Sequence, residues 1–515
     1  MSIKKYEIIP KSLGHGKWYQ SVLTVSDMID YSDVSGCYVL KPWSYQIWEL
    51  IKSNLDKSIQ SIDVENCYFP LFVTKSNLEK ESSHFDDFIP EVAWIQTIDP
   101  IVETESKKDP EINKLIQQLK SKGLNVHIYS DKSERYAIRP TSETIIYPHF
   151  SDWMKKSGKY PKINQWANVV RWENKATQPF IRSREFLWQE GHTCHPNETV
   201  AVNEVMIVLN IYKELYEQFL AVPMIDGIKT KSETFPGAEL TTTIEGFLPD
   251  SGKGIQAATS HYLGTKFSTI FNIKNSDGQY VHQNSWGLTT RSIGIMVMTH
   301  SDDRGLVLPP KVAPIQVVII ACGLNSKTTP EDEQKVNILL KKLCVDLNND
   351  GIRTVYDDQT NETPGMKFNK WETKGVPLRI EFGPKDMENG TVFFVRRDKL
   401  QKTKELFKFS ETCSTSFIKN FLNKIQSDML ESAKQKIKSN IVYCKDEESM
   451  LNALKQKKLT LIDWQQTDGF ENNLKNICKT HNISSTKVLC LPNKNTLHEY
   501  GFDTESTLAL FGRSY

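Results

Sequence analysis

Apolar residues recur every three or four positions across residues 42–60, with Trp43 and Trp48 among them. That period predicts an amphipathic helix. The next apolar run, Cys67-Tyr-Phe-Pro70-Leu-Phe-Val, predicts a buried strand that carries a proline. A long helical period over residues 199–220 precedes strand patterns at 239–247, 255–257 and 280–286. Then comes a proline-rich stretch, Gly305-Leu-Val-Leu-Pro309-Pro310-Lys-Val-Ala-Pro314. Beyond it, apolar strands at 315–320, 352–356, 376–382 and 391–395 alternate with a helix over 330–347. From about residue 407 the chain turns lysine-rich and helical, then mixed. A polar segment, 102–135, predicts a surface insertion with one helix over 111–122.

Stiff proline-rich chain between two patterned regions marks a domain boundary. The pattern predicts a mixed α/β protein of three bodies: residues 1–304, then, after a linker over 305–314, residues 315–410 and 411–515. A length of 515 residues fits two to four domains. Hydrophobic content of 39% and charged content of 25% belong to an ordinary soluble globular protein. The net charge of +1 neither favours nor excludes a nucleic-acid partner. No apolar run approaches a transmembrane helix, and the first residues lack a signal-peptide core and the character of a transit peptide. The nine cysteines, an odd number without C-x-x-C spacing, point to a reducing, cytoplasmic compartment. His192, Cys194 and His195 stand too close together for a tetrahedral zinc site and are expected to be ordinary loop residues.

The densest chemistry lies in Asn168-Val-Val-Arg171-Trp172-Glu173 and, a few residues on, Arg182-Ser183-Arg-Glu-Phe186-Leu-Trp188-Gln189. These predict two strands joined by a turn. Arg171 and Glu173, two apart on one strand, face the same side of the sheet. A fixed cation, a carboxylate and an aromatic ring suit the phosphate, amino group and base of a nucleotide. Upstream, Arg139-Pro140-Thr141-Ser142-Glu143-Thr144 sets a hydroxyl and a carboxylate two apart. A protonated amine has only donors and needs such acceptors. The same residues also suit a helix N-terminus with Thr141 as its cap. Downstream, Gln283-Asn-Ser285-Trp286-Gly287-Leu-Thr289-Thr290-Arg291 predicts a strand, a glycine turn and a helix that presents Arg291. Arginine suits a nucleotide because it both stacks and carries fixed charge.

These segments resemble the motifs of class II aminoacyl-tRNA synthetases. The helix from Pro42 and the strand with Pro70 resemble motif 1, Arg171-x-Glu173 with Phe186 resembles motif 2, and the segment to Arg291 resembles motif 3. Further stretches narrow the resemblance to the prolyl-tRNA synthetases of the eukaryote- and archaea-like type. They are Pro90-Glu91-Val-Ala-Trp94, Phe186-Leu-Trp-Gln-Glu-Gly-His192, Thr241-Thr-Thr-Ile-Glu245, Thr259-Ser-His261, Trp371-Glu372-Thr-Lys-Gly-Val-Pro377-Leu-Arg379 and Phe511-Gly-Arg-Ser-Tyr515.

The resemblance implies an α+β catalytic domain with an antiparallel sheet, an α/β anticodon-binding domain and a small mixed α/β C-terminal domain. It implies L-proline, ATP with Mg²⁺ and tRNA(Pro) as ligands, and a homodimer built through motif 1. Arg171 and Arg291 carry catalysis in this scheme. Thr141, Glu143, Arg171 and His261 hold proline, walled by Trp188, Phe235 and Trp286. ATP meets Arg171, Glu173, Arg182, Ser183, Phe186, Gln256, Thr259, Thr289 and Arg291. Glu372, Asp386 and Lys402 read anticodon bases.

The chain also departs from the family. Its C-terminal domain lacks the cysteines through which relatives often hold zinc, so no structural zinc is expected and packing has to hold that domain. The family's Phe-Ala-Gly-Gly-Asp-Tyr loop reads Phe235-Pro-Gly-Ala-Glu239-Leu, and its Gln-Gly-Gly-Thr reads Gln256-Ala-Ala-Thr259. Between Gly191 and Gln283 there is no room for the editing domain of bacterial-type relatives. The alternative to an active enzyme is a catalytically silent synthetase-like protein that binds tRNA or regulates. That alternative predicts loss of the motif arginines or of the Thr-x-Glu loop, and all are present.

Overall fold

A computed structural model describes residues 7–82, 92–95, 110–122, 135–173, 175–325, 327–399, 404–467 and 469–515. Residues 42–60 form one helix, Pro42–Gln60, with proline in its first turn, where the missing N–H leaves no bond unmade. Ile47, Ile51, Leu55 and Ile59 recur at four-residue spacing on its buried face. The strand expected around Pro70 is not continuous. Short strands form at Glu65–Asn66 and Phe72–Thr74, and the residues between them do not pair as a strand. Proline cannot donate to a ladder, and only Phe69 and Val73 of the segment are buried while Tyr68 and Phe72 are 68% and 57% exposed, so the fully buried strand expected here is half-buried instead. The long helical period divides into an α-helix, Glu198–Glu214, capped by Asn197, and a π-helical turn, Leu215–Phe219. In the polar segment, Pro110–Ser121 is helical, and most of the remaining residues expected to form the insertion lie outside the described ones.

The central feature is a sheet of eleven strands among the described residues. Five strands, Leu240–Leu248, Lys253–Gly264, His282–Thr289, Glu185–His195 and Lys162–Val170, lie side by side and antiparallel. Side chains alternate across this sheet. The helices Pro42–Gln60, Glu198–Glu214 and Arg291–His300 contribute to a large core that also takes up Trp286 and Leu288. Toward the C-terminus, Thr486–Pro492 pairs with Ile225–Ile228, so the last domain extends the same sheet. A buried ion pair reinforces that seam: Lys229 Nζ meets Glu245 Oε1 at 2.6 Å and donates to the Leu489 carbonyl at 2.6 Å.

A second, five-stranded sheet holds Thr354–Tyr356, Val317–Ala321, Leu378–Phe382, Thr391–Arg396 and Lys404–Lys408 in that order. Val317–Ala321 runs parallel to both neighbours and the remaining pairs are antiparallel. Ile418, Leu422, Ile425 and Met429, from the helix Thr415–Lys438, pack into the core beneath it. Leu306, Leu308, Val312 and Ala313 of the proline-rich stretch are buried in the large first core, so this connection is packed along its length.

Candidate functional site

The strand Glu185–His195 sets Phe186, Trp188, Glu190 and His192 on one face by its two-residue period. That face floors a cavity of about 490 Å³. The turn before the helix Glu143–Ser157 brings Thr141 and Glu143 to the cavity, and the strand Lys253–Gly264 brings Gln256, Thr259 and His261. Arg171, Glu173, Arg182 and Ser183 line it from the connection between Lys162–Val170 and Glu185–His195; the first strand stops at Val170, so Arg171 and Glu173 lie beyond the strand expected to carry them. Phe235, Trp286, Thr289 and Arg291 complete the set, so all fifteen residues expected in the proline and ATP sites border one cavity.

Acceptors gather at one end. Thr141 Oγ1 donates to Glu143 Oε2, and both residues are buried. The helix N-cap is Ser142 and it makes no side-chain cap bond, so Thr141 is not the cap that its sequence also allows. Beneath, Ser142 Oγ donates to Glu190 Oε1 at 2.5 Å, as does Gln165 Nε2 at 2.8 Å. His192 Nε2 lies 3.3 Å from Glu190 Oε2, and its Nδ1 lies 3.0 Å from the Tyr147 hydroxyl. Burial pushes the His192 pKa down, but the Glu190 hydrogen bond and the charges of Glu143 and Glu190 outweigh it and the net shift is upward. His192 and its neighbours therefore stand on a strand, and the expectation of ordinary loop residues is corrected. Among the described residues no group of three or more His, Cys, Asp or Glu has the geometry to hold a metal ion.

Cations gather at the other end. Arg171 donates Nε–H to the Pro140 carbonyl at 3.0 Å, and its guanidinium lies 5.6 Å from the Trp188 ring centre and 5.7 Å from that of Phe186. Desolvation lowers the Arg171 pKa, with Glu143 and Glu190 opposing; a guanidinium starts so high that it remains a cation. Arg291 is held by the carbonyls of Ile181 (3.1 Å) and Gln256 (3.2 Å). Desolvation lowers its pKa too, and the like charges of Arg182 and Arg171 add to the shift. Arg182 pairs only loosely with Glu173, at 3.7 Å. Three guanidinium groups thus border one cavity, and such fixed cations suit a polyanion. At the rim, His261 stacks near Phe235 (4.7 Å between centroids) and contacts Thr241 Oγ1 at 3.0 Å. Desolvation, then the charges of His192 and Lys229, push its pKa down to about 3, so it is neutral.

Trp286 needs a finer description than a pocket wall. It is opposite Gly191 in the sheet, on the reverse face from His192, and is 2% exposed. A Cβ on Gly191 would lie 2.1 Å from its ring. Its indole therefore packs into the core against Gly191, while the residue still borders the cavity. Sequence reasoning missed Glu190, His192, Thr241 and Ser285 as cavity residues. A count of every second residue from Trp188 would have found the first two.

Beside the second sheet, on the helix Pro364–Thr373, Glu372 is 8% exposed and its Oε1 accepts from Arg304 at 2.6 Å. Asp386 Oδ2 accepts from the Gly383 N–H at 2.9 Å at the start of a short helix. Between them the sheet presents Arg379, Glu381, Phe393 and Lys404 on one face. Arg379 lies over Phe368 at 4.2 Å, and Lys404 over Phe393 at 5.6 Å. Lys402 lies outside the described residues.

Residues 125–300 match the tRNA synthetase class II core domain (G, H, P, S and T), and residues 316–424 match an anticodon binding domain. The fold and the site define a class II aminoacyl-tRNA synthetase. The chain is 42% identical to a "Proline--tRNA ligase, cytoplasmic" of Arabidopsis thaliana, with 96% of this chain and 85% of the relative covered. It is 43% identical to a Schizosaccharomyces pombe relative over 91% of this chain, and spans 62% of that relative's length. A crystal structure titled prolyl-tRNA synthetase from Cryptosporidium parvum complexed with L-proline and AMP superposes with a TM-score of 0.82 at 40% identity, covering 98% of this chain and 99% of that one. The chain belongs to the proline–tRNA ligase family.

Proposed function

We propose that this protein joins L-proline to ATP, giving prolyl-adenylate and pyrophosphate, and then transfers the prolyl group to the 3′ end of tRNA(Pro). The observation that carries the reading is one cavity with amine acceptors at Thr141 and Glu143 and three converged arginines opposite. The proline carboxylate attacks the α-phosphate of ATP, pyrophosphate leaves, and the terminal ribose hydroxyl of tRNA later displaces AMP from the acyl carbon. Two anions meet in the first step, so the work is orientation and charge stabilisation, without a protein nucleophile. Thr141 and Glu143 take the two N–H donors of the secondary ammonium, and Arg171 faces the developing charge. Arg182 and Arg291 take outer phosphates, while Glu173 and Phe186 suit the amino group and face of adenine. Mg²⁺ supplies further neutralisation of phosphate charge.

Glu372 and Asp386 take part in reading the anticodon. A carboxylate accepts from guanine N1–H and N2–H₂, and the mixed charged and aromatic face between them suits splayed bases. The residues between Gly191 and Gln283 are taken up by the strands and helices of the catalytic sheet, which supports the absence of editing within this chain. Exposed Tyr31, Val34, Val39 and Tyr45 around the motif 1 helix support a homodimer, and sedimentation of a monomer at micromolar concentration would refute it. The nine free cysteines and the cytoplasmic Arabidopsis relative support a cytoplasmic location.

The test is ATP–pyrophosphate exchange with proline, alanine, threonine and no amino acid in parallel. Exchange with proline, alone or with weak alanine activity, supports the reading. Folded, ATP-competent protein without exchange sinks it in favour of a silent tRNA-binding relative.

A further inference from the structure

Glu372 stands in the last turn of the helix Pro364–Thr373, at the seam between two domains. The next residues are pinned to the catalytic side: the Thr373 carbonyl accepts from Leu306 N–H and from Ser26 Oγ, each at 3.0 Å, and the Lys374 carbonyl accepts from Trp43 Nε1 at 3.2 Å. The approach is so close that a Cβ on Gly305 would fall 2.5 Å from the Thr373 carbonyl oxygen.

Arg304 bridges this seam. Its Nη1 donates to Glu372 Oε1 at 2.6 Å, while Nε and Nη2 donate to Asp302 Oδ2 at 3.3 and 3.1 Å. Nη2 also reaches the Lys399 carbonyl at 3.0 Å. Asp302 in turn accepts the fork of Arg397 at 2.8 and 2.6 Å, and Arg397 Nε holds the Glu372 carbonyl at 2.8 Å. Arg304, Glu372 and Arg397 line a small cavity with Trp371, Arg379 and Val395. Arg304 therefore has two carboxylates to serve, one of them Glu372.

We propose that Arg304 is a specificity-determining positioning residue for anticodon reading. This rests on the reading in which Glu372 accepts from an anticodon guanine. Guanine offers two adjacent donors and engages a carboxylate through both oxygens. It has to displace Arg304 from Oε1, and Asp302 already holds the other side of the guanidinium, so Arg304 stays paired after release. Cytosine or uracil lacks the paired donors and cannot replace the broken ion pair. The bond to Arg304 thus acts against wrong bases, a repulsive element beside the attractive one. No covalent step is involved.

The experiment measures kcat/KM for prolylation of tRNA(Pro) and of transcripts with each anticodon guanine replaced by cytosine. It compares the full-length protein with Arg304→Ala, Arg304→Lys and Glu372→Gln, with ATP–pyrophosphate exchange as the tRNA-independent control. Arg304→Ala is expected to leave exchange unchanged and to hold or lower the KM for cognate tRNA. Discrimination against the cytosine transcripts at one guanine position should fall about tenfold. Arg304→Lys keeps a charge beside Asp302 but cannot fork across two carboxylates, so it should reproduce most of the loss, and it decides the matter if the alanine variant fails to fold. Unchanged discrimination in both Arg304 variants, with collapse in Glu372→Gln, overturns the role of Arg304 and leaves the anticodon reading standing. Unchanged discrimination in Glu372→Gln overturns that reading and this proposal with it.

Discussion

Arg171 donates to the carbonyl of Pro140 at 3.0 Å, and Pro140 immediately precedes Thr141. The cation proposed to face phosphate is thereby fixed to the loop proposed to take the amine. In Arg171→Ala, proline-dependent pyrophosphate exchange should fall about a thousandfold, in the range of losses when a transition-state donor is removed. Lysine keeps the charge but cannot hold Pro140 while pointing further N–H groups into the cavity, so Arg171→Lys should lose about a hundredfold. Exchange rates of purified variants check both, and an alanine variant within tenfold of wild type would remove Arg171 from the mechanism.

Glu143 lies at the proposed amine end, where its charge also acts on Arg171. Replacing its carboxylate by an amide removes a charge-assisted bond, with a contribution of about 1.5–3 kcal/mol. Glu143→Gln should therefore raise the KM for proline roughly ten- to a hundredfold and leave the KM for ATP within about threefold. Equal changes in the two constants would show that Glu143 shapes the whole cavity instead of one end.

Much of this site was legible in the chain because its chemistry is carried by local patterns. Arg171 and Glu173, or Thr141 and Glu143, stand two apart, and although each pair lies off the regular strands, that short spacing brings both members to one cavity. The misreadings come from long-range placement. Trp286 looks like a pocket aromatic until its strand is paired with Gly191, which turns the indole to the core. His192 looks like part of a loop cluster until the period of Glu185–His195 aims it at the cavity. Pro70 interrupts a run whose hydrophobicity alone suggests a buried strand. The ion pair of Glu372 with Arg304 joins residues 68 positions apart, beyond any spacing rule.

The sheet's reverse face carries a buried network with a pH signature. His195 Nε2 lies 2.8 Å from Glu204 Oε2, Asn284 Nδ2 donates to the same oxygen at 3.0 Å, Thr193 donates there as well, and Lys162 Nζ pairs with Oε1 at 3.1 Å. Burial pushes the Glu204 pKa up, but the His195, Thr193 and Asn284 partners win and bring it down to about 2. A carboxylate depressed in the folded state binds fewer protons there than when unfolded. Its stabilisation is complete above the unfolded value near 4.5 and fades as pH falls toward about 2. The size is ~3 kcal/mol at most. Glu204→Gln should lower the melting temperature at pH 7 and flatten its fall between about pH 4.5 and 3. Parallel acid limbs in the two proteins would show that Glu204 is not the group responsible.

The closest packing at the site offers the sharpest steric test. Three atoms of the Trp286 indole lie 2.1, 2.2 and 2.3 Å from where a Gly191 Cβ would sit. Gly191 is between Glu190 and His192, so any shift of the strand also moves two cavity side chains. The indole is 2% exposed and has no solvent to move into. Gly191→Ala should destabilise by about 3 kcal/mol, at the upper end of overpacking costs, and should reduce proline-dependent exchange along with stability. Trp286→Leu alone opens a cavity and also destabilises. In the double variant the methyl occupies space the indole has left, so its loss should be smaller than the sum of the two single losses by more than about 1 kcal/mol. Denaturation midpoints of the four proteins measure this coupling. Simple additivity would mean that the ring does not cover Gly191 in solution.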